Sequence, residues 1–351
     1  MKRKVFAAAA AVAAHVLAIT GVLVGFGITS GRERGAGHEK FTGVLERGAT
    51  IRILENDTAI KQGYFGELID AFNAKYAEYG IRATDANMDQ FSDLENDGPF
   101  GYGPDVLYQA NDRVMRYAGG YHVQPLPIED LECYAQIDQK AWDAYKMTVD
   151  GEDYYCGVPV NVQGPLLYYR KSLIPTDWQT EWDGDGNGVP DMLESWSALY
   201  KFSQQRKAQG KFGYMKSLID PYFSAGFLFS YGGYIFGGGN TDAGDVGLSK
   251  NGAEKGANVL RQLASAMDER CIDYTVTPLA YTQLAKGDFF ATMTTPDVYT
   301  MFIDALVNEG GYTRAAAEGE LGVADIPQLP ASGDLTETDP ERIPSKMMGG
   351  V

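Results

Sequence analysis

The sequence from Thr50 onward alternates short apolar runs with segments of helical periodicity, and this alternation constrains the fold most. TIRIL, residues 50–54, predicts a strand. YFGELIDAFNAKYAEYG places apolar residues at helical spacing until Gly80 ends the pattern. IRATDA predicts a second strand, and PDVLYQA predicts a short buried strand. The order of strand, helix and strand predicts an α/β domain.

The second half of the chain mixes helices and strands in the same way. Extended pieces are predicted on both sides of Gln163-Gly164-Pro165. Helices are predicted over SWSALYKFSQQRKAQ, NGAEKGANVLRQLASAMDER and LAYTQLAKG, and DFFATMTTP predicts a strand. In the second of these helices the residues predicted to be buried are Ala257, Leu260, Leu263 and Met267. Two α/β lobes joined by extended crossings would leave a cleft, where small ligands usually bind.

The N-terminus predicts export. MKRK precedes a 24-residue apolar run, Val5–Ile28, and small and polar residues follow it. Residues 1–30 are therefore a signal peptide or, because the run is long enough to span a bilayer, an uncleaved signal anchor. Residues 31–49 predict a flexible tether. The rest is expected outside the cell, extracellular, periplasmic or on the cell surface, with membrane contact only through the N-terminal segment.

Charge and residue types exclude some functions. The net charge of −17 argues against a nucleic-acid partner, because phosphate binding requires clustered Lys and Arg. The three His residues form no cluster, so a His-rich zinc site is not indicated. Three Cys residues leave at least one thiol unpaired. Cys133 and Cys156 could form a disulfide, or all three could be small buried apolar residues.

The segment DGDGNGVPDMLE, residues 183–194, matches the twelve-residue calcium-loop pattern. Gly188 stands at position six, where the chain must turn sharply. The predicted calcium ligands, at positions 1, 3, 5, 7, 9 and 12, are Asp183, Asp185, Asn187, Val189 (through its carbonyl), Asp191 and Glu194. KSLIPTDWQTEW before the loop is not an entering helix, whereas an exit helix is predicted from about Met192. The loop is therefore expected to hold a structural Ca²⁺; a solvated acidic turn is the alternative.

Several blocks resemble maltose-binding-type solute-binding proteins in the same order and with similar spacing. They are PDVLYQANDRVMRYAGGYHVQPL, GVPVNVQGPLLYYRKSLIP, DPYFSAGFLFSYGGYIF with DVGLSKNGAEKGANVL, and YTQLAKGDFFATMTTPDVY. The resemblance implies a two-lobe α/β fold that closes on its ligand by a hinge, with lobe 1 at residues 50–157 and lobe 2 at 158–325. It also implies a non-enzymatic extracellular protein that delivers an oligosaccharide to the permease subunits of an ABC importer. A monomer is expected.

The resemblance also implies sugar-binding residues in both lobes. Hydroxyl-binding groups and stacking aromatic rings are both expected, because sugars have polar edges and apolar faces. In lobe 1 the matching positions are Asn56, Asp57, Gln109, Asp112 and Arg113. In lobe 2 they are Gln163, Asp220, Tyr222, Phe223, Asp297 and Tyr299.

Departures and simpler roles accompany these assignments. Gln109 and Asp297 stand where maltose-binding members have Trp, which indicates a different sugar or linkage. Asp112 and Arg113 could form only a surface ion pair. Gln163 could be a turn residue, and Tyr222 and Phe223 could belong to the core. Residues 326–351 resemble the start of the return crossing to lobe 1, and the chain stops there, which favours a truncated product or a fragment.

Two other functions remain open from the sequence. A sugar-sensing ectodomain tethered by the N-terminal segment would use the same binding residues. A glycoside hydrolase would need two carboxylates facing a cleft, and Asp112 with Asp220 is a conceivable pair. The sequence contains no nucleophile signature that supports catalysis.

Overall fold

The computed structural model describes residues 45–56, 60, 63–89, 94–149, 151–240 and 242–349. The chain forms two compact units, the first extending to Val162 and the second covering Gln163–Gly349. The predicted signal segment and most of the predicted tether lie outside the described residues.

The first unit contains a parallel sheet and a hairpin. Its strands are β1 (Thr50–Leu54), β2 (Arg82–Asp85), β3 (Val106–Leu107), β4 (Lys146–Val149) and β5 (Glu152–Tyr155). Its helices are α1 (Tyr64–Lys75), α2 (Leu94–Asp97), α3 (Asn111–Gly119) and α4 (Gln139–Asp143). The sheet order is β2-β1-β3 with both pairs parallel, and β4 pairs with β5 in antiparallel fashion.

Local sequence accounts for most of this unit. The apolar face of α1 buries Phe65 against Ile53 and Ala83. After α1 the chain turns at Gly80, whose φ of 70° is a left-handed conformation that favours glycine. The prediction of a buried strand in PDVLYQA was wrong in extent, because only Val106–Leu107 forms a strand and Val106 is 46% exposed. The reason is that β3 lies at the edge of the sheet.

The second unit contains a four-stranded mixed sheet of order β10-β6-β9-β7, in which only β7 and β9 are parallel. Its strands are β6 (Leu166–Arg170), β7 (Phe212–Met215), β8 (Asp242–Val246), β9 (Phe289–Thr294), β10 (Leu321–Ala324), β11 (Leu329–Pro330) and β12 (Arg342–Ile343). Its helices are α5 (Trp178–Glu181), α6 (Asp191–Glu194), α7 (Trp196–Ala208), α8 (Pro221–Ser230), α9 (Ala253–Ala266), α10 (Ala280–Ala285), α11 (Tyr299–Asn308) and α12 (Arg314–Glu320). Gly237–Asn240 forms a tight turn with Gly238 and Gly239 at positive φ.

Both faces of this sheet are buried. On β6, Leu167 belongs to the larger core cluster, and the next residue, Tyr168, belongs to a second cluster with Phe302 and Leu306. This follows from the alternation of side chains along a strand. Strand β9 is buried from Phe289 to Met293, as expected for a central strand covered on both sides.

Helix α9 forms where the sequence predicts it, and Leu260, Leu263 and Met267 pack in the core as predicted, whereas Ala257 does not. Ala257 is exposed, and the buried residues of α9 are Ala253, Gly256, Val259, Leu263 and Ala266. At Gly256 a Cβ atom would lie 2.4 Å from the carbonyl oxygen of Phe227 on α8. The glycine therefore allows the two helices to approach closely. Because a glycine carries no hydrophobic side chain, the periodicity of the sequence does not reveal this contact.

Candidate functional site

In the first unit the carboxyl ends of β1 and β3 lie side by side. Ile53 pairs with Val106 and Leu54 with Leu107 in parallel register. The amide of Tyr108 donates to the carbonyl of Leu54 at 2.8 Å, which places Tyr108 beside Glu55. In open parallel sheets, ligands commonly bind at the carboxyl ends of the strands.

Glu55 is a buried acid at the carboxyl end of β1, and it is not among the sugar-binding residues predicted from the sequence. It is 5% exposed, and its Oε1 accepts hydrogen bonds from the amide of Asn56 at 2.7 Å and from its Nδ2 at 2.8 Å. Burial raises the pKa of Glu55, and the bonds from Asn56 partly oppose this rise. Burial also raises the pKa of Tyr108, with further contributions from Tyr64 and Glu55. These residues form one polar cluster. The sequence signal that could have identified Glu55 is its position directly after the predicted strand 50–54.

The other first-unit candidates follow β3. Gln109 is half-buried, and its Oε1 accepts from the amide of Ala110 at 3.1 Å. Asp112 is exposed and Arg113 is half-buried, and both lie in the first turn of α3. The first unit therefore places Gln109, Asp112 and Arg113 after the carboxyl end of β3, beside the carboxyl end of β1, which Asn56 follows. Asp57 lies outside the described residues.

In the second unit Asp220 caps helix α8. Its Oδ1 accepts from the amide of Tyr222 at 3.2 Å, and Pro221 occupies the first helical position. Tyr222 is half-buried, and its ring centroid lies 5.0 Å from that of Phe223 in an edge-on arrangement. Phe223 is 7% exposed and belongs to the main core. It therefore has the packing role that the sequence analysis gave as its alternative.

Lys216 lies next to these residues and was not selected from the sequence. Its Nζ is 4.0 Å from Oδ2 of Asp220 and 3.2 Å from the ring centroid of Phe223. Burial lowers the pKa of Lys216 to about 8, although Asp220 acts in the opposite direction. A lysine immediately after a strand carries no distinctive pattern, so only the folded structure reveals its burial.

The remaining second-unit candidates lie at the ends of strands. Asp297 is exposed and follows β9, and Tyr299 begins α11 with its ring 6.5 Å from that of Tyr168. Burial raises the pKa of Tyr168 to about 12, and Asp297 and Tyr299 add to the rise. Gln163 is half-buried and precedes β6. Strands β7 and β9 are parallel neighbours, so their carboxyl ends lie on the same side of the sheet. The segments that carry Asp220 and Asp297 follow these carboxyl ends.

The acidic loop folds around its own carboxylates. Gly186 and Gly188 have φ values of 70° and 81°, so Gly188 occupies the turn that the loop pattern requires. The amide of Gly188 donates to Oδ2 of Asp183 at 3.2 Å, and the amide of Gly184 donates to Oδ2 of Asp191 at 3.3 Å. These bonds bring the acids of the loop toward one another.

Three of the predicted calcium ligands have carboxylate oxygens that lie close together. One carboxylate oxygen each from Asp185, Asp191 and Glu194 lie within 4.8 Å of one another. Oxygens bound to Ca²⁺ at about 2.4 Å can be separated by at most about 4.8 Å, so this spacing fits the ion. The Nδ2 of Asn187 donates to Asp185 at 3.2 Å and to both oxygens of Glu194 at 3.0 Å. For Asn187 to ligate, its amide must turn the oxygen inward.

Both ends of the loop are anchored in the second unit. Trp182, Met192 and Leu193 are buried in the main core, and the amide of Asp191 donates to the carbonyl of Trp182 at 2.6 Å. The predicted exit helix is interrupted, because α6 is a single turn and Ser195 is extended before α7 begins. Ser195 is extended because it forms a β-bridge with Gln328.

The described residues settle two further points. Cys133, Cys156 and Cys271 are all free thiols, and the last two are buried. Within the described ranges, none of the helices combines the length and the apolar character that crossing a bilayer requires.

Comparison with known proteins identifies the family. Residues 57–337 match the family model for bacterial extracellular solute-binding proteins. The maltodextrin-binding protein of Bacillus subtilis is 28% identical over 193 residues, which cover 54% of this chain and 42% of that protein. The galactooligosaccharide-binding protein of the same organism is 30% identical over 176 residues, or 49% of this chain and 38% of that protein. The matched region thus spans about two fifths of these relatives.

Solved structures show the same fold. The maltose-binding periplasmic protein of Listeria monocytogenes, in complex with maltose, has a TM-score of 0.63 at 21% identity, covering 86% of this chain and 69% of that chain. MalX from Streptococcus pneumoniae, in complex with maltopentaose, has a TM-score of 0.60 at 22% identity, with 82% and 68% covered. The expected two-lobe α/β fold is confirmed. The chain belongs to the bacterial extracellular solute-binding proteins, a family of non-enzymatic carriers.

Proposed function

We propose that this protein is exported and captures an oligosaccharide, which it delivers as a monomer to the permease subunits of an ABC importer. The observation that carries the proposal is the family match over residues 57–337, together with relatives named for binding maltodextrins and galactooligosaccharides. The ordered blocks of sequence that resemble maltose-binding-type proteins lie within the matched region and agree with this function.

The polar edge of each sheet supplies groups suited to a sugar. In the first unit these are the amides and charged groups of Asn56, Gln109, Asp112 and Arg113. Charged groups form the stronger hydrogen bonds to hydroxyls. In the second unit Asp220 and Asp297 supply carboxylates, and Tyr222 and Tyr299 supply half-buried rings that can cover the apolar face of a sugar. Asp57 and Gln163 complete the proposed set, and the buried Phe223 supports the ring of Tyr222.

Titration calorimetry with maltotriose, galactotriose, cellotriose and xylotriose tests this proposal. We expect saturable binding of at least one trisaccharide, and mass spectrometry should recover that sugar intact. Cleavage of the sugar would favour a glycoside hydrolase instead. Failure of all four sugars to bind would contradict the proposal.

We further propose that the loop 183–194 holds a structural Ca²⁺. The proposed ligands are the side chains of Asp183, Asp185, Asn187, Asp191 and Glu194 and the carbonyl of Val189. The converging oxygens of Asp185, Asp191 and Glu194 support this proposal. The ion would neutralise carboxylates that otherwise repel one another at close range. Its role would be to brace the segment between Trp182 and α7.

A metal titration tests the calcium site directly. Metal-stripped protein should bind one Ca²⁺ per chain in calorimetry. Mg²⁺ should compete poorly, because it prefers fewer protein oxygens and retains more water. Binding of Mg²⁺ as tight as that of Ca²⁺, or binding of neither ion, would contradict the proposal.

A further inference from the structure

The side chain of Glu55 is hydrogen-bonded to the next residue along the chain. Its Oε1 accepts two bonds from Asn56, one from the backbone amide at 2.7 Å and one from Nδ2 at 2.8 Å. Glu55 follows β1 directly and is 5% exposed, whereas Asn56 is half-buried. A carboxylate inside the first unit therefore holds a polar side chain that lies nearer the surface.

The ionised carboxylate decides which way the side-chain amide of Asn56 faces. A carboxylate only accepts hydrogen bonds, so the group of Asn56 that meets it is the NH₂ and not the oxygen. The Oδ1 of Asn56 shares its carbon with Nδ2 and therefore faces away from Oε1 of Glu55. Because a bond to a charged acceptor polarises the amide, Oδ1 also becomes a stronger acceptor.

The backbone around this pair is anchored on both sides. The amide of Tyr108 donates to the carbonyl of Leu54 at 2.8 Å, which ties the end of β1 to the end of β3. The amide of Ile60 donates to the carbonyl of Asn56 at 3.2 Å. Strand β1 is also the central strand of its sheet, between β2 and β3. The pair thus has the rigid support that a precisely oriented binding group requires.

The charge of Glu55 is compensated mainly by Asn56. Burial raises the pKa of Glu55 and the two bonds from Asn56 lower it, and within the described ranges no cation contributes to the shift. The neighbouring titratable groups are the phenols of Tyr108, whose pKa is raised by the charge of Glu55, and of Tyr64, which acts on Tyr108. Both phenols are neutral near pH 7. A buried carboxylate without a cation is costly, and such acids are often functional.

We propose that Glu55 is a positioning residue of the sugar site, which orients the amide of Asn56 so that its oxygen accepts a hydrogen bond from a sugar hydroxyl. This inference rests on the proposed carbohydrate function, in which Asn56 is a binding residue, and adds the residue that orients it. An amide oxygen has two lone pairs, so it can accept from a ligand and from a protein donor together. Glu55 acts on the sugar only through Asn56.

A double-mutant cycle on the full chain tests whether Glu55 acts through Asn56. The variants are Glu55→Gln, Asn56→Ala and the two combined, each titrated at pH 7 with maltotriose, galactotriose, cellotriose and xylotriose. Glu55→Gln keeps the size of the side chain but offers an NH₂ as well as an oxygen, so the amide of Asn56 can face it either way. Asp85→Asn is the matched control, because Asp85 ends β2, is exposed and accepts from the amide of Asn87 at 2.7 Å.

Glu55→Gln and Asn56→Ala should each weaken sugar binding about fivefold, which corresponds to one hydrogen bond, and the combined variant should bind no more weakly than Asn56→Ala. Asp85→Asn should bind like the wild type. An equal loss from Glu55→Gln with and without Asn56 would overturn the inference, and so would full affinity in either single variant. These outcomes leave the proposed function intact. Absence of wild-type binding to all four sugars would instead count against that function.

The pH profile supplies a readout that a purely structural role would not change. Protonated Glu55 carries an O–H that can donate to Oδ1 of Asn56, so the amide is no longer held in one orientation. Because burial raises the pKa of Glu55, this loss is expected at a higher pH than for an ordinary glutamate. The affinity advantage of the wild type over Glu55→Gln should therefore shrink as the pH falls from 7 to about 4. An advantage independent of pH would contradict the inference. If Glu55→Gln fails to fold, the advantage over Asn56→Ala should shrink in the same way and decides instead.

Discussion

The backbone carbonyl of Glu194 accepts a hydrogen bond from the amide of Gln328 at 2.7 Å. The side chain of the same residue points into the acidic loop, where its oxygen lies within 4.8 Å of oxygens of Asp185 and Asp191. Glu194 thus joins the loop to the segment that leads into β11. An ion that orders the acidic loop would therefore also stabilise the hydrogen bond between Glu194 and Gln328.

The first prediction concerns calcium and stability. At saturating Ca²⁺ the wild type should gain about 3 kcal/mol in unfolding free energy, which raises the melting temperature by about 5–10 °C. Glu194→Gln should abolish most of this gain, because it removes a bidentate carboxylate. Glu181→Gln, an exposed acid just before the loop, should leave it unchanged. Identical melting of metal-stripped wild type with and without Ca²⁺ would rule out the site.

The second prediction separates the two roles assigned to Asp220. Asp220→Asn keeps an oxygen that can cap α8 but removes the negative charge 4.0 Å from the buried Lys216 ammonium, so the free energy of unfolding should fall by about 1 kcal/mol near pH 7. Sugar affinity should nevertheless fall about tenfold, because a charge-assisted bond is lost. Asp220→Ala should lose the affinity and, because the cap is lost as well, about 1 kcal/mol more stability than Asp220→Asn. Urea denaturation and calorimetry measure the two effects. Full sugar affinity in Asp220→Asn would remove this residue from the binding site.

The third prediction concerns a buried ion pair. Arg170 and Glu320 have side chains that are 5% and 11% exposed, and Nε donates to Oε1 at 2.6 Å. Glu320→Gln should cost about 3 kcal/mol, because it leaves the guanidinium buried without its counter-charge. Glu318→Gln, on the same helix but 52% exposed, should cost less than about 0.5 kcal/mol. Similar urea denaturation midpoints for the two variants would contradict this difference.

The fourth prediction is a pH dependence from Lys216, whose pKa is lowered by burial from 10.5 to about 8. Between these two pH values the unfolded chain keeps a proton that the folded protein has released. Stability therefore rises with pH across this window. Lys216→Met should be about 3 kcal/mol more stable than the wild type near pH 7, because it removes the buried ammonium. The difference should narrow between pH 8 and 10.5 in urea denaturation, and a difference independent of pH would refute the assignment.

The fifth prediction concerns thiol reactivity. Cys133 is half-buried, whereas burial raises the pKa of both Cys156 and Cys271 to about 11. A thiol reagent at pH 8 should therefore modify one cysteine in the folded protein and three after denaturation, because the thiolate is the reactive form. Reaction of only one thiol in denaturant without a reductant would contradict the assignment of three free thiols, because two of the cysteines would then be joined by a disulfide.

The family fold and the positions of most elements could be predicted from the sequence, because they depend on local patterns. The apolar periodicity of α1 and α7, the capping of α8 by Asp220 and the turn at Gly188 are all encoded within a few residues. The ordered family blocks add the lobe topology. The site residues that lie directly after strands could also be selected in this way, since strand ends are visible in the sequence.

Other features depend on residues far apart in the chain, and only the tertiary structure decides them. Gly256 is buried because α8 approaches it, and Lys216 is buried because Phe223 and Asp220 pack beside it. Ser217 is ordinary in sequence, yet packing leaves it 2% exposed, with a hydroxyl that has no protein partner within the described ranges. The sequence by itself determined which segments form strands, helices and an acidic loop. The packing of those segments decided which polar groups are removed from water, because burial is a property of neighbours that local sequence does not contain.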